Sequence, residues 1–108
     1  MTDRELLELA AKAAGIVGSY DDKLQTLWFD APHKELGRHI TWNPLTDDGD
    51  ALRLAVMLGI DLKFPGPIVQ AASAAMSHAV TEDAKDDPCA ATRRAIVRAA
   101  AEIGRNIK

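Results

Sequence analysis

A chain of 108 residues that is 47% hydrophobic and 27% charged is ordinary globular material, enough for a single domain, 1–108, and too short for two. No apolar run approaches membrane-spanning length, and the single Cys89 excludes an internal disulfide and suits a reducing cytoplasm. The net charge of −3 gives no overall pull toward nucleic acid or anionic lipid, and with five aromatic residues the core must be filled mostly by Ala, Leu, Ile and Val.

Thr2-Asp3-Arg4-Glu5 has the spacing of a capping box, Thr at the cap and Glu three later. Leu6, Leu9, Ala10 and Ala13 then form a stripe that Gly15 ends, so residues 3–14 are predicted as a helix. This acidic, helical opening is unlike a signal peptide, and a cytoplasmic location is expected. Residues 16–20 read as a strand, Asp21-Asp22-Lys23 as a turn and residues 24–30 as a second strand, together an antiparallel hairpin. Ala31 to Arg38 holds Pro32 and Gly37 and reads as a loop. His39 to Trp42 adds a short extended piece.

The stretch from Thr41 to Phe64 is the expected centre of the fold. Trp42 reads as a core anchor before the Asn43-Pro44 turn. Thr46 or Asp47 caps a helix over 47–58, with Asp48 and Asp50 at its positive end. Calcium ligation by these acids would need oxygen ligands at further alternate positions, where Leu52 and Leu54 stand. Leu52, Ala55, Val56 and Leu58 make the expected buried stripe, and Gly59 closes the helix. Ile60, Leu62 and Phe64 alternate with Asp61 and Lys63 as one face of a strand.

Pro65-Gly66-Pro67 breaks any regular element. Residues 68–80 are Ala-rich and fit either a helix from Pro67 or two strands, 68–73 and 76–81, around a small-residue turn. Thr81 to Asp87 reads as a charged loop. Asp87-Pro88 starts the last helix, 88–105, with Ile96, Ala99, Ala100, Ile103 and Ile107 on one face and Arg94, Arg98 and Arg105 on another. Glu102 lies one helical step beyond Arg98, a pairing distance. From Pro88 onward five basic residues meet one acidic residue, a balance of +4, so the remainder carries −7.

No residue set demands a reaction. His33 and His39 lack the tight paired spacing of a zinc site, and no metal or cofactor is expected. Cys89 sits in the first turn of a helix, but Asp83, Asp86 and Asp87 oppose a thiolate, and a buried or half-buried thiol is expected. An enzyme using His78 or Cys89 is the least favoured reading. Arg93, Arg94, Arg98 and Arg105 are the candidate partner-binding residues. They suit an acidic protein partner, or nucleic acid phosphates, a reading the acidic body disfavours. A homodimer would hide more apolar surface than so small a core can.

Three stretches, TDRELLELAAKAAG (2–15), WNPLTDDGDALRLAVMLGIDLKF (42–64) and ATRRAIVRAAAEIG (91–104), resemble a group of small phage and prophage proteins. These are similar to phage α-β-α sandwich domains of unknown function. Residues 16–40 and 65–87 lie outside the resemblance. It implies helices laid over a small antiparallel sheet, which favours strands over 68–81, and expression in a host cytoplasm. It brings no activity and no catalytic residues. The expected fold is therefore α+β, three helices on one antiparallel sheet of about four strands in the order α-β-β-α-β-β(-β)-α, burying Ile60, Leu62, Phe64, Leu27 and Phe29. The expected role is non-enzymatic: an accessory protein that binds a protein partner or itself.

Overall fold

The computed structural model describes residues 1–30 and 39–107. The elements run α1 (Asp3–Ala14), β1 (Ser19–Asp21), β2 (Thr26–Asp30), β3 (His39–Trp42), α2 (Asp48–Leu58), β4 (Asp61–Lys63), β5 (Ile68–Ala72), β6 (Val80–Asp83) and α3 (Pro88–Arg105). The class is α+β, and the three helices lie where their caps predict. Thr2 Oγ1 accepts the Glu5 N–H at 3.1 Å while the Glu5 carboxylate accepts the Thr2 N–H at 3.2 Å, so the box closes. Asp47 and Asp87 accept the N–H groups of Asp50 and Ala90. Gly15 and Gly59 end α1 and α2 at left-handed φ values of 74° and 63°.

Packing centres on α3 rather than on the 41–64 stretch. α1, α2, β5 and β6 all lie against α3. It is consequently buried over more of its circumference than the predicted stripe. Ile96, Ala99 and Ala100 are buried as expected, and so are Ala91, Ala95, Val97, Ala101 and Gly104. Ile103 is half-buried, and Ile107, beyond the helix end, is exposed. On α1 the buried residues are Leu6, Leu7, Ala10 and Ala11, so the inward face is turned from the predicted Leu6, Leu9, Ala10, Ala13 stripe. Gly104 marks the closest approach of α1 and α3. A Cβ there would stand 2.0 Å from the Leu9 carbonyl oxygen and 2.9 Å from its carbon.

α2 rests on α3 through Ala51, Leu54 and Ala55. The expected stripe holds at Ala55 and fails at Leu52 and Val56, which point to solvent. Leu54, Ala55, Val56, Met57 and Leu58 place apolar groups around most of α2, so periodicity alone does not select the inward side.

Among the described residues the strands number six and form two antiparallel sheets, β1-β2-β3 and β4-β5-β6, instead of one sheet of about four. α2 separates the two sets, and each pairs only with its own sequence neighbours. In the first sheet Leu27 lies opposite Trp42, and both are buried. The turn before β2 spans 22–25: Asp21 Oδ1 accepts the N–H groups of Lys23 and Leu24, and Gln25 takes φ 52°. Residues 31–38, read as a loop, lie outside the described residues, as does the side chain of Phe29.

The second sheet settles 68–81 as strands. Val69 and Ala71 are fully buried against α3. The second strand starts at Val80 rather than 76 and runs to Asp83, so Thr81 to Asp83 are not loop. Val80 and Glu82 face inward here, and the inward acid hides the alternation from a hydrophobic reading. Ile60 is buried just before β4 and Leu62 is half-buried, but Phe64 is 61% exposed. Pairing stops at Lys63 with Pro65 two residues on, so Phe64 falls outside the sheet.

Gly104→Ala is expected to lower stability by about 1–3 kcal/mol, because the methyl meets rigid backbone. Gly49→Ala is the contrast. Its methyl would meet only the side-chain ends of Arg53 and Asp47 at 3.2 Å, and the change should be neutral or stabilising by up to about 1 kcal/mol. Urea midpoints at unchanged m-value measure both.

The hydrogen bonds from the Thr2 backbone and then its hydroxyl hold the Glu5 carboxyl below its ordinary 4.5. A depressed carboxyl stabilises above its unfolded pKa, and the effect is lost as pH falls through the folded value. A carbon-13 NMR titration should place Glu5 below 4.5, and Thr2→Ala should move it part of the way back, since the backbone bond survives.

Candidate functional site

The four arginines singled out from the sequence divide into one and three. Arg93 turns toward the start of α2. Its Nε donates to the Leu45 carbonyl at 2.8 Å and its Nη1 pairs with Asp48 Oδ1 at 2.6 Å. Its side chain is only 18% exposed, so it belongs to the α2–α3 contact. Arg94, Arg98 and Arg105 line a groove of about 390 Å³ whose floor is Ala101 and whose walls are Leu6 and Val80. Arg94 pairs with Asp3 at 3.2 Å, and Arg105 with Glu102 at 3.6 Å. Arg98 donates to the Glu82 carboxylate and to the Thr81 carbonyl at 3.0 Å. The expected Arg98–Glu102 pair is thus replaced by a contact to β6, which brings a better-shielded carboxylate to Arg98. Each of these arginines holds a carboxylate of its own fold, and nothing in the arrangement favours nucleic acid.

His78 and Cys89 are both exposed, and neither lines a described cleft. The buried or half-buried state expected for Cys89 is corrected: the first turn of α3 projects beyond the neighbours that cover its middle. His33 lies outside the described residues. Among the described residues no group of three or more His, Cys, Asp or Glu side chains is placed to hold a metal ion. Nor does any helix there have the length and apolarity to cross a membrane.

A cleft of about 1140 Å³ opens between the starts of α1 and α2 and the β1–β2 turn. Both of its arginines are paired: Arg4 with Glu8 at 3.1 Å and Asp22 at 3.7 Å, and Arg53 with Asp50 at 2.7 Å. Arg4 also lies 5.2 Å from the centre of the Tyr20 ring. Asn43, at the cleft wall, was read only as part of a turn, but it joins three segments. Its Nδ2 donates to the Gln25 carbonyl, its Oδ1 accepts the Leu45 N–H, and its own N–H donates to Asp50 Oδ2, each at 3.0 Å. Asp50 therefore does more than favour the helix start. The spacing of Asn43 and Asp50, seven apart across the turn, carries no recognisable signal.

The remaining exposed feature is apolar. Leu52, Val56 and Met57 stand on the outward side of α2. Met57 also edges a mainly apolar groove of about 300 Å³ lined by Ala14, Ile16, Trp42 and Leu54. Comparison with protein-family models, with curated proteins and with solved structures finds no match for this chain.

Asn43→Ala should cost about 1–3 kcal/mol, since it removes one donor and one acceptor that tie the first sheet to α2. Loss of amide protection at Leu45, measured by hydrogen exchange, separates this local effect from global destabilisation.

Proposed function

We propose that this chain is a non-enzymatic protein-binding module whose partner lies against the outward face of α2. The observation that carries this reading is the exposure of Leu52 at 61%, Val56 at 75% and Met57 at 59% on one short helix. Single exposed apolar residues are common on any surface, whereas three on one helix beside an apolar groove mark a contact face. Leu52 and Val56 are one helical step apart and form a ridge, and the Met57 groove lies along the other flank. Ridge and groove together suit the apolar face of an amphipathic helix. Methionine at the rim adapts to such a face.

Self-association is the second reading, because the same ridge can pack on its own copy about a two-fold axis. A phage or prophage accessory role in a host cytoplasm is supported by the resemblance of residues 2–15, 42–64 and 91–104, and by nothing in the fold.

The double variant Leu52→Ser, Val56→Ser tests the reading. Both side chains are exposed, so its urea midpoint should stay near that of the wild type. Sedimentation equilibrium and capture from bacterial lysate are compared for the two proteins. A wild-type dimer, or a captured protein, that the double variant loses supports the proposal. The proposal fails if the wild type stays monomeric up to about 1 mM and holds nothing that the double variant does not also hold.

A further inference from the structure

We infer that the groove beside α3 is a second binding site, separate from the α2 face, and that it takes an extended acidic segment of a protein through Arg94, Arg98 and Arg105. The three arginines stand at i, i+4 and i+11 on one line of the helix, with the small Ala101 between them. At 1.5 Å per residue the file is roughly 16 Å long. Carboxylates on alternate residues of an extended chain recur about every 6.7 Å, so three of them span about 13 Å. The flexible arginine side chains close the difference.

The present ion pairs leave room for exchange. Arg94, Arg98 and Arg105 are 42%, 41% and 53% exposed. The partners of the outer two, Asp3 and Glu102, are 63% and 46% exposed. Pairs this open contribute about 0–1 kcal/mol, and each is held through a single guanidinium nitrogen. A carboxylate that engages the whole guanidinium fork gains a second parallel hydrogen bond. Arg98 is different, because Glu82 is only 20% exposed and needs its partner. Arg98 therefore stays in place and bridges, while Arg94 and Arg105 turn to the ligand.

Charge and backbone select the occupant. Each of the three arginines meets one carboxylate, Asp3, Glu82 or Glu102, so the side-chain charges of the groove balance, and no excess of acid stands here on a chain whose net charge is −3. An acidic segment gains here by replacing Asp3 and Glu102 on two exposed guanidinium groups. One wall is β6, an edge strand of the second sheet. The Ala84 N–H bonds the Pro67 carbonyl, and bonded pairs alternate along an antiparallel ladder. Thr81 therefore turns its backbone groups away from β5, consistent with its carbonyl meeting Arg98. An extended segment beside this edge has both side-chain and main-chain partners.

The test is fluorescence anisotropy with a labelled peptide alternating Glu and Ser, at low salt where charge is least screened. Its Gln-for-Glu counterpart and a single-stranded oligonucleotide of equal charge run beside it. Saturable binding of the Glu peptide, absent for the Gln peptide and weakened about tenfold or more by Arg94→Gln with Arg105→Gln, is the expected result. Arg98 is left intact so that Glu82 keeps its partner, and a urea midpoint confirms the fold. No saturation by about 1 mM, unchanged affinity in the double variant, or tighter binding of the oligonucleotide overturns the proposal. Leu52→Ser, Val56→Ser should bind the Glu peptide as the wild type does, so the two surfaces fail or stand separately.

Discussion

The approach of α1 to α3 at Gly104 is the constraint on which the rest of the structure depends. With two Trp, two Phe and one Tyr, the chain has few large side chains to fill space between distant elements. Among the described residues the buried hydrophobic positions are mainly alanines, ten of nineteen. An alanine methyl buries little area, so its contribution comes from close contact with many atoms at once. Close contact requires helices whose facing side chains are small, and Ala10 and Ala11 on α1 meet that demand as Ala100, Ala101 and Gly104 do on α3. Once α1 is fixed at that distance, α2 and the second sheet have only the remaining sides of α3 to cover. The burial of α3 over much of its circumference follows from this, as does the small inward footprint of α2.

The charge asymmetry reads differently in this light. The basic helix is the middle of the molecule, and each of its inner arginines reaches a carboxylate on a different neighbour. Arg93 meets Asp48 at the start of α2, Arg94 meets Asp3 at the start of α1, and Arg98 meets Glu82 on β6. Asp48 and Asp3 are placed where helix dipoles already favour them, so these two acids serve two purposes at once. Exposed pairs of this kind add little stability, and their effect is to orient the covering elements. Arg98 does something further. Its bond to the Thr81 carbonyl ties the edge strand β6 to α3 through the backbone as well as through Glu82.

What was legible in the sequence was local. Thr2, Asp47, Asp87, Gly15 and Gly59 place the helix ends because capping is decided within a turn of chain. What was not legible depends on contacts distant in sequence. Leu52 and Val56 lie within an apolar run whose inward side is set by α3, some forty residues away. Glu82 looked like loop because its partner lies on another element. The four candidate arginines share one helix in the sequence, but their division into Arg93 and the other three needed the positions of α2 and β6. Two sheets looked like one because strand number is local while strand pairing is not.

The two sides of α3 that carry arginines differ in a way that bears on any binding role. Toward α2 the site is closed: Arg93 is 18% exposed and holds a backbone carbonyl as well as a carboxylate. Removing it would leave the Leu45 carbonyl, partly buried, without its donor. Toward α1 and β6 the site is open, and two of its three guanidinium groups contact only side chains that water already solvates. An ion pair between two exposed groups can be broken without stranding either one, because solvent replaces the lost partner. The fold therefore tolerates rearrangement at Arg94 and Arg105 that it would not tolerate at Arg93. A surface that can exchange its partners while the core beneath stays packed has the physical property a binding groove needs, and Ala101, nearly fully buried, supplies the rigid floor.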